Sequence, residues 1–485
     1  MKKIFLFSLN LVTVFLVSFS IYAQNPDRTK PPLLPPPQQL KLANIQQFNL
    51  SNGLKVVLIE KHEVPLIQLN IIIKTGSVND PDNKSGLANF TMDMIDEGAA
   101  GKSSLEIADL IDYLGAKITA SAGLHFSGIY LHTPLTKFDN ALQILQDIVL
   151  KPDFPQKELE RKKKERLTSI MQSHDQPTAI ASYAFNQFLF GKNNPYGRSS
   201  IGDESSINAT TIEDLKDFHK KYFVANNAFI VAVGDIKLTE LKNKLEQIFG
   251  SWKKGKIENI NLKTPDQVSQ RVVYLIDKPG APQSVINIGR IGAARITDDY
   301  NSIVVMNTFL GGSFGSRLNQ NLREEHGYTY GAFSRFNFRP FPGSFIASSS
   351  VQTDVTDKAL YEFFKELNGI REPISEADLN HSKNYVALNY PSEFQSVREI
   401  AGHLEEMVEY DLPGNYFNEY ISKMLSVTAN EFTASANKYI IPDKMIVVVV
   451  GDKSKIENGI KALNLGDIKN FTIDEVMGKV PVLDN

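Results

Sequence analysis

The chain has 485 residues, with 55 acidic and 52 basic side chains, eight histidines and no cysteine. This length exceeds what one hydrophobic core supports, so we expect two or more domains, and 42% hydrophobic residues is ordinary for a globular protein. The net charge of −3 gives no indication of a nucleic-acid partner. The absence of cysteine excludes disulfides, thiolate metal sites and cysteine nucleophiles.

Residues 1–23 are typical of a secretory signal peptide. Lys2 and Lys3 form the charged region, an apolar stretch runs from Ile4 to Ile21, and Ala23 offers a small residue at the cleavage point. We therefore expect an exported protein, periplasmic or secreted, with no integral membrane association after cleavage. An uncleaved membrane anchor stays open, because the apolar stretch approaches the length that spans a bilayer.

Residues 24–44 are predicted to be a proline-rich linker. The sequence Pro-Pro-Leu-Leu-Pro-Pro-Pro over residues 31–37 favours a stiff polyproline conformation. The pattern then changes to strand, Asn-Gly turn and strand between Phe48 and Ile59. The folded body is therefore expected to begin near residue 45.

An internal repeat divides that body. Residues 211–236 and 428–452 share a helix that follows a threonine and a buried strand that ends in Gly-Asp, and Tyr222 and Tyr439 are equivalent at a shift of 217 residues. The same shift aligns residues 67–71 with 284–288. We predict an N-terminal half at 45–252, a linker at 253–270 and a C-terminal half at 271–485.

Each half mixes alternating strands with long amphipathic helices, such as those predicted from Leu105 to Leu114 and from Phe138 to Leu150. Strand and helix do not alternate strictly along the chain. The pattern favours the α+β class, with helices packed on an antiparallel sheet.

The segment from Ser85 to Met94 has the frame of an inverted zinc-peptidase helix. In that frame two histidines four residues apart share one helix face, and a glutamate three residues after the first lies beside them. The three positions hold Asn89, Met92 and Asp93, with Gly-Leu-Ala before them and Glu-Gly after. The chain therefore resembles the pitrilysin/insulinase family of zinc metallopeptidases, with the catalytic triplet replaced.

This resemblance implies two homologous halves, each of two α/β-sandwich subdomains, arranged as a clamp. It also implies a third zinc ligand on a later helix, in an acidic pair that precedes Asp-x-Pro; Thr168 and Ser169 stand there in this chain. Zinc needs three protein ligands, whereas Asn89 is a poor ligand and Met92 cannot take a proton. We expect this chain to bind no metal and no cofactor, with zinc in a partner subunit.

A non-standard metal site stays open, in which Asp93 is joined by His125, His132 or His174. No two of the eight histidines have the spacing that zinc prefers. His125 and His132 are seven residues apart on a predicted strand and would face opposite ways, and His174 is expected in a turn.

The segment from Gly311 to Gly331 resembles the second-half signature of the same family: a glycine-rich turn, a helix that ends near Gly327, and a strand. In relatives, an arginine and a tyrosine at the positions of Arg323 and Tyr330 reach the substrate carbonyl beside the zinc. A guanidinium and a phenol suit this role as hydrogen-bond donors. The resemblance implies that both act in trans; the alternative is a surface arginine and a packed strand tyrosine.

Residues 114–121 correspond to an edge strand that pairs with bound peptide in relatives. This would make Thr119, Ala120 and Ser121 substrate-binding residues through their backbone. Thr119 stands where relatives often have asparagine, and an ordinary half-buried strand is the alternative.

Some bacterial relatives are heterodimers in which one subunit carries the zinc and the other supplies the arginine and tyrosine. This chain resembles the second kind, inactive alone and paired with a zinc-bearing homologous subunit that hydrolyses peptides. A non-enzymatic peptide-binding or assembly protein of the same fold is the alternative. A third hypothesis, peptide cleavage through an unconventional site, finds no complete constellation in the sequence.

Overall fold

The computed structural model describes residues 36–37 and 39–482. All described helices and strands lie in one compact unit, Gln39–Asn485. The predicted signal peptide and most of the predicted linker at 24–44 lie outside the described residues. None of the helices in the described part of the chain combines the length and apolar character that a membrane span needs.

Eight strands belong to the first half, and six of them form one sheet. They are β1 (Gln46–Asn49), β2 (Lys55–Glu60), β3 (Leu66–Ile73), β4 (Gly98–Ala99), β5 (Lys102–Ser103), β6 (Lys117–Ala122), β7 (Ser127–Pro134) and β8 (Ala228–Gly234). The order in the sheet is β1-β2-β8-β3-β7-β6, and β4 pairs with β5 separately. The predicted turn joins β1 to β2, with Gly53 at a φ of +83° that favours glycine.

The second half repeats this sheet. Its strands are β9 (Val272–Asp277), β10 (Gln283–Ile291), β11 (Thr329–Phe336), β12 (Ser344–Gln352), β13 (Ile446–Gly451) and β14 (Asp467–Phe471). The order is β11-β12-β10-β13-β9-β14, so β6, β7, β3, β8 and β2 correspond in order to β11, β12, β10, β13 and β9. The repeat read from the sequence therefore extends over five strands of each sheet.

The first half has eight α-helices among its described residues, and α1 carries the replaced zinc frame. They are α1 (Leu87–Met94), α2 (Ser104–Tyr113), α3 (Phe138–Leu150), α4 (Gln156–Asp175), α5 (Pro177–Phe190), α6 (Glu204–Ala209), α7 (Ile212–Tyr222) and α8 (Leu238–Phe249). Helix α2 begins at a capping box in which Ser103 and Glu106 satisfy each other's backbone N–H groups. The helix predicted at Phe138–Leu150 is confirmed. The helix predicted from Leu105 to Leu114 is α2, which begins and ends one residue earlier.

The second half contributes nine α-helices among its described residues. They are α9 (Tyr300–Asn307), α10 (Arg317–Asn319), α11 (Thr356–Gly369), α12 (Glu376–Asn389), α13 (Val397–Glu409), α14 (Tyr416–Ser426), α15 (Ala429–Tyr439), α16 (Lys453–Ala462) and α17 (Ile473–Met477). Two π-helical turns, Thr308–Gly312 and Gln320–Glu325, flank α10.

The two halves exchange a helix. Each sheet packs its own helices on one face, while α5 of the first half covers the other face of the second sheet, and α13 of the second half covers the first sheet. Phe185 on α5 lies so close to β10 that a Cβ added at Gly289 would be 2.7 Å from its ring. The halves are therefore joined through two shared hydrophobic cores.

The α+β class and the two related halves are confirmed. Each half contains one six-stranded sheet, where two subdomains per half and an antiparallel sheet were expected. Parallel pairs occur at β2–β8, β9–β13 and β9–β14, because long helical connections rather than hairpins join these strands. Between Gly250 and Val272 the chain forms no helix or strand, and the domain boundaries within that segment stay predictions.

Candidate functional site

Helix α1 is fixed at its start by backbone contacts. Gly86 precedes it with a φ of +88°, and an added Cβ would lie 2.5 Å from the backbone nitrogen of Gly202. The Asp80 carboxylate accepts hydrogen bonds from the backbone N–H groups of Gly86 at 2.7 Å and Ala88 at 2.8 Å. Burial raises the pKa of Asp80 to about 7. The helix that carries the frame is therefore capped by a buried carboxyl group.

The position of the general base has become part of the core. Met92 is 1% exposed and belongs to the cluster that packs α1 on the first sheet. A thioether there can neither accept nor hold a proton for an attacking water. The structure therefore gives this position a packing role.

A guanidinium lies where a metal would be expected between the two former histidine positions. Arg166 on α4 donates from Nη2 to Oδ1 of Asn89 at 2.6 Å and to Oδ2 of Asp93 at 2.5 Å. Its Nη1 donates to the carbonyl of Ile201 at 3.1 Å, and its Cζ lies 4.4 Å from the ring centroid of Phe90. One cation therefore joins α1, α4 and the loop before α6.

The electrostatics of this arrangement oppose a zinc ion. Arg166 is 5% exposed, and its guanidinium already uses the oxygen atoms of Asn89 and Asp93. Burial lowers the pKa of Arg166, opposed by Asp93, but arginine remains protonated in proteins. A fixed positive charge repels a metal ion at the same place. The residues present do not fit zinc.

The other residues considered for a metal lie elsewhere. Ser169 is exposed on α4, one turn beyond Arg166. His125 contacts the Tyr196 hydroxyl at 2.6 Å, and His132 contacts Gln68 at 3.1 Å. His174 is buried at the end of α4 with both ring nitrogens near backbone carbonyls, so its expected place in a turn was wrong. Among residues 36–37 and 39–482, no three His, Cys, Asp or Glu side chains are grouped to hold a metal ion.

Strand β6 forms one edge of the first sheet. It pairs with β7 on one side only, and its residues alternate between exposed and half-buried. Thr119 and Ser121 are on its exposed face, and Ala120 packs against the core. An edge strand offers backbone N–H and C=O groups to an added strand. The geometry suits the predicted peptide pairing, which stays a prediction.

Arg323 lies in the second π-helical turn, Gln320–Glu325. Its Cζ is 4.5 Å from the ring centroid of Phe314, its Nη1 is 3.0 Å from Oε1 of Glu324, and its side chain is 33% exposed. Asn321 anchors the turn by donating to Glu362 and Glu366 on α11, at 2.8 Å each. Short π-helical turns are uncommon and often mark functional sites.

Tyr330 lies on β11, the edge strand of the second sheet, and is 93% exposed. The register with β12 shifts between Thr329 and Ala332, so Tyr330 is in a β-bulge. Asn319 donates to the Phe314 carbonyl at 2.7 Å and accepts from the Ala332 N–H at 3.3 Å. Bulges often redirect side chains next to active sites. Asn319 connects this bulge to Phe314, the residue whose ring lies against Arg323.

Comparison with known protein families assigns both halves of the chain to one family. Residues 55–203 match the model for insulinase, peptidase family M16, and residues 209–386 match the model for the peptidase M16 inactive domain. The chain belongs to peptidase family M16.

Similar proteins include one named as a non-peptidase homolog and one named as an uncharacterized zinc protease. The non-peptidase homolog YmxG of Helicobacter pylori is 22% identical over 82% of this chain and 92% of its own length. An uncharacterized zinc protease of Rickettsia felis is 24% identical over 81% of this chain and 95% of its own length. The crystal structure of a peptidase M16 inactive domain from Pseudomonas fluorescens has a TM-score of 0.79 and 29% identity, covering 84% of this chain and 98% of that one.

These comparisons confirm the resemblance read from the segments at 85–94 and 311–331. Together with the replaced positions Asn89, Met92 and Asp93, the relatives support a catalytically inactive M16-like protein. The roles of Arg323 and Tyr330 in this M16 chain stay predictions.

Sequence reasoning missed three residues of the site. Arg166 lies outside the acidic pair that the family resemblance implies at 168–169. The sequence does indicate a role for Arg166, because it lies on the same helix face as Leu159, Leu167 and Ile170. A charged side chain on a buried helix face requires a partner. Phe314 and Asn319 gave no signal, since their roles depend on how a turn folds onto β11.

Proposed function

We propose that this chain is the non-zinc subunit of an exported, heterodimeric M16 metallopeptidase. Arg323 and Tyr330 contact the substrate carbonyl, and a homologous zinc-bearing subunit hydrolyses the peptide. The chain binds no cofactor itself, because Arg166 takes the place of the metal. The periplasm is the compartment we propose, from the signal-like residues 1–23, which lie outside the described residues.

The observation that carries the proposal is the exposure of Tyr330. A large aromatic side chain that is 93% exposed on an edge strand contributes little to packing, so folding does not explain it. Phe314 and Phe333 nearby on the same segment are also exposed, at 66% and 42%. Aromatic and arginine side chains of this kind are enriched where proteins bind partners.

The chemistry of the pair fits a carbonyl that gains negative charge. Arg323 offers guanidinium N–H donors held over Phe314, and Tyr330 offers a phenol hydroxyl. The Nη1 atom that faces Glu324 is buried and forms no hydrogen bond with it, and the two side chains are 33% and 46% exposed overall, so this ion pair is weak. The guanidinium therefore remains available to a substrate.

The test isolates the full chain from its native envelope and measures chelator-sensitive peptide hydrolysis with and without its co-purified homologue. Activity is expected only in the pair. Arg323→Ala and Tyr330→Phe should each lower kcat about 100-fold, the effect of losing one oxyanion donor. Arg335→Ala, on the same strand, and Tyr361→Phe, also exposed, are the matched controls and should leave activity unchanged. Normal activity of the Arg323 and Tyr330 variants in the pair would overturn the proposal.

The second candidate is a non-enzymatic peptide-binding or assembly protein. The open edge of β6 favours it, because strand pairing needs no catalytic group. A native complex that lacks a zinc-bearing homologue and chelator-sensitive activity, but still retains peptide, would support this candidate.

A further inference from the structure

A polar groove lies between α13 and the first sheet, on the sheet face opposite to α1. We call it the seam groove; it consists of two cavities of about 260 Å³ and about 390 Å³ that are both lined by Tyr130. The first is lined by β3, β7 and β6, and the second extends to Tyr410 and Arg339. The groove is therefore formed only when the two halves exchange helices.

The helix side of the seam groove is one stripe of α13. Arg398, Gly402, Glu405 and Glu409 follow each other at intervals of four, three and four residues, which places them on one helix face. A Cβ added at Gly402 would meet nothing within 4 Å. Glycine is a poor residue for a helix interior, so its effect here is to leave the space open.

The sheet side carries two buried amides, one of which is repeated in the other half. Gln68 and Asn70 on β3 are 2% and 3% exposed, and Asn70 Nδ2 donates to Glu405. In the second half, α5 packs Ile180, Phe185 and Leu189 against valine and isoleucine of β10 and β13. At the shift of 217 residues Gln68 corresponds to Val285, whereas Asn70 corresponds to Asn287, which is also 3% exposed. The fold therefore does not require an amide at position 68.

Two carboxyl groups in the groove lack a cationic partner. Neither Glu405 nor Glu409 forms an ion pair with a described lysine, arginine or histidine, whereas Glu406 between them is 2.7 Å from Arg295. Burial raises the pKa of Glu405 to about 7 and that of Glu409 to about 8, and for Glu409 the other two carboxyls add to the effect. Arg339 lines the cavity that contains Glu409, but it forms no ion pair with that carboxyl group. Both carboxyl groups are therefore without a direct cationic contact among the described residues.

We propose that the seam groove binds a ligand with two cationic nitrogen groups about 6 Å apart, one at Glu405 and one at Glu409. Four helical residues at about 1.5 Å each give this spacing. Lysine or arginine side chains two residues apart in an extended peptide match it, since strand residues on one face repeat at about 6.8 Å. A free diamine carries the same chemistry.

The opposite end of the groove limits the ligand. Lys117 and Arg398 line that end and repel a third cation. A dication is therefore preferred over a longer polycation. Thr119 and Ser121, the residues of β6 predicted to pair with peptide, line the two cavities. The inference does not rest on the proposed roles of Arg323 and Tyr330 or on zinc in a partner, since the groove is on the other sheet face from Asn89 and Asp93.

The test uses the isolated full chain and calorimetric titration at pH 8.5. The probes are acetyl-Ala-Lys-Ala-Lys-Ala-amide, the same peptide with glutamate for lysine, and 1,4-diaminobutane. The lysine peptide should bind, and the glutamate peptide should not. If the diamine binds as tightly as the lysine peptide, the groove is a small-molecule site. If the peptide binds more tightly, the groove is a peptide site. Failure of both ligands to bind overturns the proposal.

Three variants make the result specific to the groove. Glu405→Gln and Glu409→Gln should each weaken binding about tenfold, and Gly402→Leu should abolish it by filling the open space without loss of helix stability. Glu399→Gln on α13 is the matched control, because glutamine preserves the capping box with Ser396. Unchanged affinity in the Gly402→Leu variant, with normal thermal unfolding, would refute the location.

Binding should also strengthen as pH rises from 6 to 8.5, because a cationic ligand favours the ionised carboxylates. Three other ionisable groups at the groove have pKa values outside that interval. Burial lowers the pKa of His125 to about 4 and lowers that of His132, and burial raises the pKa of Tyr130 and Tyr410 to about 12 each. Affinity that is independent of pH would contradict the assignment of Glu405 and Glu409.

Discussion

Replacing Arg166 by methionine removes the cation that joins α1, α4 and the loop before α6. The variant loses two hydrogen bonds to side chains, to Asn89 and Asp93, one to the Ile201 carbonyl, and the contact with Phe90. Methionine keeps the length of the side chain and the helix propensity, so packing and helix formation change little.

The expected cost follows from the burial of the two partners. Removing one member of a fully buried ion pair costs about 3–5 kcal/mol. The side chain of Asp93 is 39% exposed, so water recovers part of its solvation and lowers that cost. We expect Arg166→Met to lower the free energy of unfolding by about 3 kcal/mol and Asp93→Asn by about 2 kcal/mol, with a coupling energy of about 1–2 kcal/mol in the double-mutant cycle.

The assay is urea unfolding followed by the fluorescence of Trp252. This is the only tryptophan of the chain, it is buried in the core of the first half, and its indole N–H donates to the Phe223 carbonyl at 2.8 Å. Lys164→Met, exposed on the same helix, is the control and should change stability by less than about 0.5 kcal/mol. A cycle that is additive within about 0.5 kcal/mol would show that Arg166 and Asp93 do not act as a pair and refute the reasoning.

Three further predictions concern the metal position, pH and the exchanged helix. The Asn89→His, Asp93→His variant should bind no zinc in equilibrium dialysis while Arg166 is present, and it should bind one ion per chain once Arg166→Glu is added. Zinc binding without the Arg166→Glu change would contradict the proposed effect of the guanidinium. The folded pKa of Glu409, about 8, is above its ordinary 4.5, so the folded state holds an extra proton and the chain loses stability as pH rises from about 5 to 8. Glu409→Gln should therefore be more stable than the wild type at pH 8.5 and equal to it at pH 4.5 in urea unfolding. Phe185→Ala should cost about 3–5 kcal/mol and accelerate hydrogen exchange in β10 and β13 of the other half; faster exchange confined to the first half would argue against shared cores.

Local elements of the fold could be predicted because their signals are local. The Asn-Gly turn, the helix Phe138–Leu150 and the strands that end at Gly234 and Gly451 follow from turn chemistry and periodicity. The exchange of α5 and α13 could not be predicted. An amphipathic pattern shows that a helix buries one face, but it does not show which of two similar sheets covers that face.

The residues of the candidate site also fall into those that could be predicted from the sequence and those that could not. The frame that holds Asn89, Met92 and Asp93 could be read directly, since its meaning depends on spacing along one helix. Arg166 is 73 residues from Asp93, and its contact with Asn89 depends on how α4 packs beside α1. The seam groove requires residues of both halves, so its carboxyl groups look like surface charges in the sequence.

The arginine at the former metal position has a mechanical consequence as well as a chemical one. A metal ion held by two helices would fix their relative position, and Arg166 fixes α1 and α4 through charge-assisted hydrogen bonds. Helix α4 leads directly into α5, which packs on the sheet that carries β11 at its edge. Helices α4 and α5 therefore connect the replaced metal position to the sheet that carries Tyr330. A protein without hydrolytic chemistry still needs that connection if its task is to hold Tyr330 in one place. Loss of the Arg166 contact should then reduce activity of the proposed two-subunit complex, even though Arg166 is not proposed to touch substrate.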